Sequence, residues 1–205
     1  MQKVNLLTSH YQCGNEERQK EIDFCFETNK DSGYFSQVIN FIGRPTYNDF
    51  FKKTLEYPED INIIANSDIY FNDTIKEVQI MNPNECYALT RWELEGDKVV
   101  SFDNKHAYNK EAKARHSQDV WIFNGVAKNI SGNFNLGIPG CDNRIAHEIW
   151  KAGYDIINPS NRIQCIHKHE DSKRSYNIPI GHTGKISPPY KWVNVEETTK
   201  TRSAI

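Results

Sequence analysis

The stretch Ile61–Ala65, INIIA, most constrains the fold of this chain. It is apolar on both faces of an extended strand. Such a strand is buried on both sides, as the central strands of parallel sheets are, so other layers must cover it above and below. The order of elements around it agrees. Lys3–Thr8 reads as a first strand. Asn15–Thr28 reads as a helix with Ile22, Cys25 and Phe26 on one face and early glutamates that suit its dipole. Gln37–Ile42 reads as a second strand. Pro45 keeps Arg44 out of the helical region, and Thr46 with Asp49 reads as a capping-box variant opening the next helix. Asp73–Ile80 follows as a short helix and Glu85–Glu93 as one strand. The polar segment Asp97–His116 has no period and reads as an excursion. Asp119–Phe123 returns to strand. Cys141–Ala152 reads as a helix with the stripe Ile145, Ile149 and Ala152, stopped by Gly153. Tyr154–Ile157 and Arg162–Ile166 are short strands. The expected fold class is α/β: one three-layer sandwich over residues 1–176 with a mixed, mainly parallel central sheet. A loosely ordered extension, 177–205, containing Pro188-Pro189, is expected after it.

Composition narrows the function classes. A chain of 205 residues supports one domain with a sizeable core. Its formal net charge of −2 creates no global attraction to nucleic acid or anionic lipid. It has no apolar run of the roughly 18–20 residues a membrane span needs, and MQKVNLLTSHYQ is too short and polar for a signal peptide. Five cysteines without a CxxC pair argue for buried thiols in a reducing compartment, so a cytoplasmic location is expected.

Three polar constellations carry candidate chemistry. Asn66-Ser67-Asp68 follows INIIA directly. In open α/β sheets ligands bind beyond the carboxyl ends of strands, and a carboxylate there can hold a divalent cation that in turn holds a diphosphate. The alternative is a turn cap. In Gly137–Arg144, GIPGCDNR, glycines permit close backbone approach and Asp142 stands at a helix start as a general-base candidate; the alternative is that it caps its own helix. In Cys165–His169, CIHKH, His167 and His169 share a direction if the strand persists. Either can complete a metal site begun by Asp68, or be ordinary surface. Lys173 and Arg174 follow as phosphate partners. Walker A, GxGxxG, HExxH and GxSxG sequences are absent.

In this order, these residues resemble the GT-A class of nucleotide-sugar glycosyltransferases. The runs RPTYNDFF, NSDIYF, SQDVWIF, GIPGCDNRIAHE and HKHEDSKRSY also look like a group of short glycosyltransferase-like proteins that includes phage and viral members. The class usually carries Asp-x-Asp where this chain has Asn66-Ser67-Asp68, so one carboxylate is replaced by an amide. The resemblance implies Mn²⁺ or Mg²⁺ at Asp68 with His167 or His169, and Asp142 as the base that deprotonates an acceptor hydroxyl, with inversion. It implies a nucleotide-sugar donor, UDP-linked first, near Thr8, Arg44, Thr46, Asn66, Ser67 and Arg174. Trp92, Asp119, Trp121 and Arg144 would face a glycan or other hydroxyl acceptor; core packing is the alternative for either Trp. Two alternatives remain at this level: a non-catalytic nucleotide-sugar or glycan-binding module, and a phage DNA glycosyltransferase using Lys105, Lys110, Lys113, Arg115 and His116 as a basic strip, a segment that otherwise reads as a solvated loop. A two-metal nucleotidyltransferase needs more clustered carboxylates than Asp68 alone supplies.

Overall fold

A computed structural model describes residues 1–102, 117–168 and 185–196. Among them the chain runs β1 (Val4–Thr8), α1 (Glu16–Asp31), β2 (Gln37–Asn40), α2 (Tyr47–Thr54), β3 (Ile61–Ala65), β4 (Ile69–Phe71) and a 3-10 helix over Asp73–Ile80. It continues through β5 (Glu85–Leu89), β6 (Trp92–Glu95), β7 (Lys98–Ser101), β8 (Val120–Asn124), α3 (Cys141–Lys151), β9 (Asp155–Ile157) and β10 (Cys165–His167). The fold is mixed α/β, with a mainly parallel six-stranded sheet ordered β2-β1-β3-β8-β5-β9. Only β8 runs against its neighbours in that sheet. The carboxyl ends of β1, β2, β3, β5 and β9 therefore share one edge with the amino end of β8.

The two-residue period of each strand sorts the core into two layers. Leu6, Ile61, Ile63, Tyr87, Leu89, Val120 and Ile122 face a cluster closed by β4, the 3-10 helix and Ile163. Leu7, Ile64, Cys86, Ala88, Trp121 and Phe123 face Tyr47, Phe50 and Phe51 of α2 and Ile145 and Ile149 of α3. INIIA lies between them as expected, every residue buried. Each fully buried Ile or Phe side chain contributes about 1.5–3 kcal/mol of transfer free energy.

Helix ends follow local chemistry. Asn15 caps α1 by accepting from the backbone N–H groups of Glu17 and Arg18. Thr46 and Asp49 form the anticipated capping box of α2. Gly153, in the left-handed region, follows α3. Lower down α1, the Asn29 side chain donates to Ile69 O at 2.8 Å and accepts from Phe71 N at 3.1 Å. It thereby satisfies an edge of β4 and docks the helix there.

A second sheet, ordered β4-β10-β6-β7, stands beside the first. It corrects the expectation of one strand over Glu85–Glu93. The run breaks after Leu89, where the Thr90 N–H donates to Ser160 Oγ at 2.7 Å instead of continuing the ladder. The chain then enters the second sheet as β6, pairing Trp92 with Ile166 of β10. A loosely ordered tail does not describe residues 185–196 either. Ile186 N donates to Pro139 O, Lys191 N to Asn143 O and Glu196 N to Asn158 O, each at 2.9 Å, and Val193 is buried in the α2–α3 layer. Among the described residues no helix is long and apolar enough to cross a membrane.

Candidate functional site

Three apolar runs meet a polar step at the same edge of the main sheet. INIIA leads out into Asn66-Ser67-Asp68, ECYAL leads out into Thr90-Arg91, and Ser117-Gln118-Asp119 leads into β8. Because β8 is reversed, a step that precedes it joins steps that follow β3 and β5. β10 and β6 of the second sheet bring His167 and Glu93 to the same place.

These side chains form one continuous chain of contacts. Arg18, in the first turn of α1, donates from one nitrogen to Glu21 Oε2 at 2.7 Å and from the other to Asp68 Oδ2 at 2.5 Å. Asp68 Oδ2 also lies 3.0 Å from His167 Nε2, and His167 Nδ1 lies 3.0 Å from Glu93 Oε2. Arg91 links Glu93 Oε1, at 2.6 Å, to Asp119 Oδ2, at 3.2 Å. Asp119 accepts further from Asn66 Nδ2 at 2.7 Å and Ser117 Oγ at 3.2 Å. Arg18, Asp68, Asp119 and His167 are buried, so each charge depends on its partners.

The electrostatics follow from that chain. Burial works to raise the Asp68 carboxyl, but His167 and then Arg18 outweigh it and hold it well below the usual carboxylate range. Burial works to lower His167, but Asp68 and then Glu93 raise it to about 9. Glu93 is lowered: burial opposes its charge and is overcome by His167 and Arg91. Asp142 goes the other way. Burial first, and then the Asp119 charge, push it up to about 7.

Asp142 does not cap its helix. Gly140, at φ 81°, is the N-cap of α3 and Asp142 is the second helical residue. Its carboxylate accepts from Cys141 Sγ at 3.0 Å. A Cβ at Gly140 would lie 2.9 Å from Ile186 O and 3.0 Å from Tyr190 Oη, so the left-handed turn and the close approach of residues 185–196 both require glycine. Four of the five cysteines fit the expectation of buried structural thiols: Cys25, Cys86, Cys141 and Cys165 are buried and burial pushes each thiol up, whereas Cys13 is only partly buried.

Of the residues singled out from the sequence, Asn66, Asp68, Asp119 and His167 converge, and the Asp119 charge acts on Asp142. Thr8 ends β1 on the same edge and Ser9 follows it, both buried, and Thr8 O accepts from Phe41 N at 2.9 Å. Ser67 is partly exposed beside Asp68. Others are placed differently. Trp121 is fully buried in the α2–α3 layer and offers no acceptor platform. Trp92 is half-buried and donates from its indole to Ser160 O at 2.8 Å. Thr46 has its hydroxyl in the α2 capping box. Arg44 is exposed over the Tyr11 ring, beside an open groove of about 400 Å³ that includes Phe41, Pro45 and Lys52. Arg144 pairs with Glu148 at 2.8 Å and donates to the carbonyls of Ser187 and Pro188. His169, Arg174 and the lysine-rich strip from Lys105 to His116 lie outside the described residues.

Arg18, Glu21, Arg91 and Glu93 were not anticipated. One signal points to Arg91: Thr90-Arg91 ends the four-residue apolar run Cys86–Leu89 as Asn66-Ser67-Asp68 ends Ile63–Ala65. Arg18 gives no such signal, because EERQKE reads as a solvated helix face. Comparison with protein-family models, with curated proteins and with solved structures found no match.

Proposed function

We propose that the protein is a glycosyltransferase that moves a sugar from a nucleotide-sugar donor, UDP-linked first, to an acceptor hydroxyl. The observation that carries this reading is the 3.0 Å contact between Asp68 Oδ2 and His167 Nε2, made by strand ends 99 residues apart. A carboxylate oxygen and an imidazole nitrogen facing one point would hold Mn²⁺ or Mg²⁺ once His167 gives up the Nε2 proton that its contacts with Asp68 and Glu93 favour. Glu93 on the far ring nitrogen fixes the orientation of His167, as second-shell carboxylates do for metal-bound histidines. No cluster of three or more His, Cys, Asp and Glu side chains fit to hold a metal occurs among the described residues. Two protein ligands leave room for substrate phosphate oxygens. A cation held there would supply stabilisation of the charge that develops on the departing diphosphate.

The chain's own residues account for the acceptor side. Asp142 is partly exposed, stands at the start of α3 and is free of capping duty. A carboxyl raised to about 7 is matched to take a proton from a hydroxyl near neutral pH. In-line attack by an acceptor hydroxyl deprotonated at Asp142 inverts the anomeric carbon. Asp119 is fixed by Arg91, Asn66 and Ser117 and supports the site rather than contacting the acceptor.

A second reading, a nucleotide-sugar or glycan-binding module without catalysis, draws support from Arg18, whose guanidinium already meets Asp68 Oδ2. One experiment separates the two. UDP- and GDP-sugars are screened by thermal shift with and without Mn²⁺ on wild type, Asp68→Ala and Asp142→Asn, and nucleotide release is measured for each donor that binds. The transferase reading expects a metal-dependent shift lost in Asp68→Ala and kept in Asp142→Asn, with release lost in Asp142→Asn. A shift without release in wild type selects the binding module, and no shift in any protein rejects both.

A further inference from the structure

We infer that Arg18 is a displaceable stand-in for the metal: it holds Asp68 in the ligand-free protein and transfers its guanidinium to the donor diphosphate when cation and diphosphate arrive together. The inference rests on the reading of Asp68 and His167 as metal ligands.

The placement of Arg18 is costly for a purely structural residue. It is buried, and it lies in the first turn of a 16-residue helix, whose amino end favours anions and not cations. The Asn15 side chain and Glu16 and Glu17 already serve that end of the helix. The Arg18 side chain instead reaches 50 residues along the chain to Asp68 Oδ2, the same oxygen that faces His167 Nε2. A cation bound to that oxygen and Arg18 compete for it. Arg18 has a second anchor that does not depend on Asp68, its 2.7 Å bond to Glu21 Oε2. The guanidinium can therefore leave Asp68 and stay over the site. A planar fork with several N–H donors suits two phosphate oxygens as well as one carboxylate.

Two binding constants move in opposite directions under this arrangement. Without Arg18, a cation meets less competition at Asp68. The diphosphate, however, loses a charge-assisted partner. A residue that merely braces the fold would weaken both or change neither.

The test is Arg18→Gln, with Arg18→Gln/Glu21→Gln as a second variant in which no buried Glu21 carboxylate is left without its counter-charge. Mn²⁺ binding is followed by titration calorimetry and by loss of the free Mn²⁺ paramagnetic signal, first alone and then with inorganic pyrophosphate, which carries the diphosphate chemistry without a base. The expected result in both variants is Mn²⁺ alone bound about tenfold tighter than by wild type, and pyrophosphate at saturating Mn²⁺ bound about tenfold weaker. Unchanged constants, or constants that weaken together, overturn the inference and leave the metal reading standing. Failure of wild type and both variants to bind Mn²⁺, with or without pyrophosphate, overturns the metal reading and this inference with it.

Discussion

The two edges of the main sheet are both polar, but they are built from different chemistry. At the edge opposite the candidate site, Gln37, Asn5 and Asn62 sit side by side across β2, β1 and β3. Gln37 Nε2 donates to Asn5 Oδ1 at 3.1 Å, and Asn5 Nδ2 donates to Asn62 Oδ1 at 3.3 Å and Asp60 Oδ2 at 3.0 Å. Asn62 Nδ2 donates to the carbonyls of Tyr57 and Gly125 at 3.0 and 2.9 Å. This row is made of amides, which have no protonation equilibrium to tune, and it ties loops to strands. The site edge is made of ionised groups, each held by partners of opposite sign. Amides fix a geometry; alternating charges hold a geometry that a ligand can enter by exchanging partners.

Substitutions at the two edges should therefore separate stability from binding. The largest loss of stability is expected for Asn62→Ala, about 3 kcal/mol in urea unfolding, because several buried partners lose their bond at once. Mn²⁺ and pyrophosphate binding by the folded variant should be unchanged; a loss of binding would erase the distinction between the edges. Asp68→Ala is expected to cost less, about 2 kcal/mol, since Arg18 keeps Glu21 and His167 keeps Glu93. It should abolish the metal-dependent thermal shift.

Asp142→Asn is the smallest change and has the opposite sign. A carboxyl raised from 3.8 to about 7 binds its proton more tightly folded than unfolded. Wild-type stability thus falls as pH rises from about 4 to about 7 and is level above that. The variant should match wild type at pH 4 and exceed it at pH 8 by about 1–2 kcal/mol, the effect being limited because Asp142 keeps some solvent contact. Equal stability at pH 8 would remove the reason to regard Asp142 as a tuned base.

What was legible in the sequence was what local pattern specifies. INIIA forms the expected buried strand because Ile61, Ile63 and Ala65 meet one apolar layer and Ile64 the other, while the buried amide of Asn62 finds carbonyl partners; the Thr46–Asp49 box forms because its partners are three residues apart. The second sheet was only partly legible. Arg162–Ile166 reads as a short strand that overlaps β10, but the three residues of β4 are too few for a period, and β4 forms by pairing with β10. Trp121 takes the core-packing alternative, which alternation alone does not decide because it does not reveal whether a strand's second face meets solvent or another layer. Arg18 was invisible because its partner is set by tertiary approach of α1 to the end of β3.

The sequence of signs along the site, from Glu21 through Arg18, Asp68, His167, Glu93 and Arg91 to Asp119, alternates at every step. A row of alternating charges has a field that dies away within a few ångströms, and the whole chain adds only −2. A diphosphate approaching these residues, as the proposed function requires, would be neither drawn in nor turned away by them from a distance. Its encounter would be set by diffusion and orientation rather than by electrostatic steering, with little dependence on ionic strength. Selection would then fall on contact, when the first partner is exchanged.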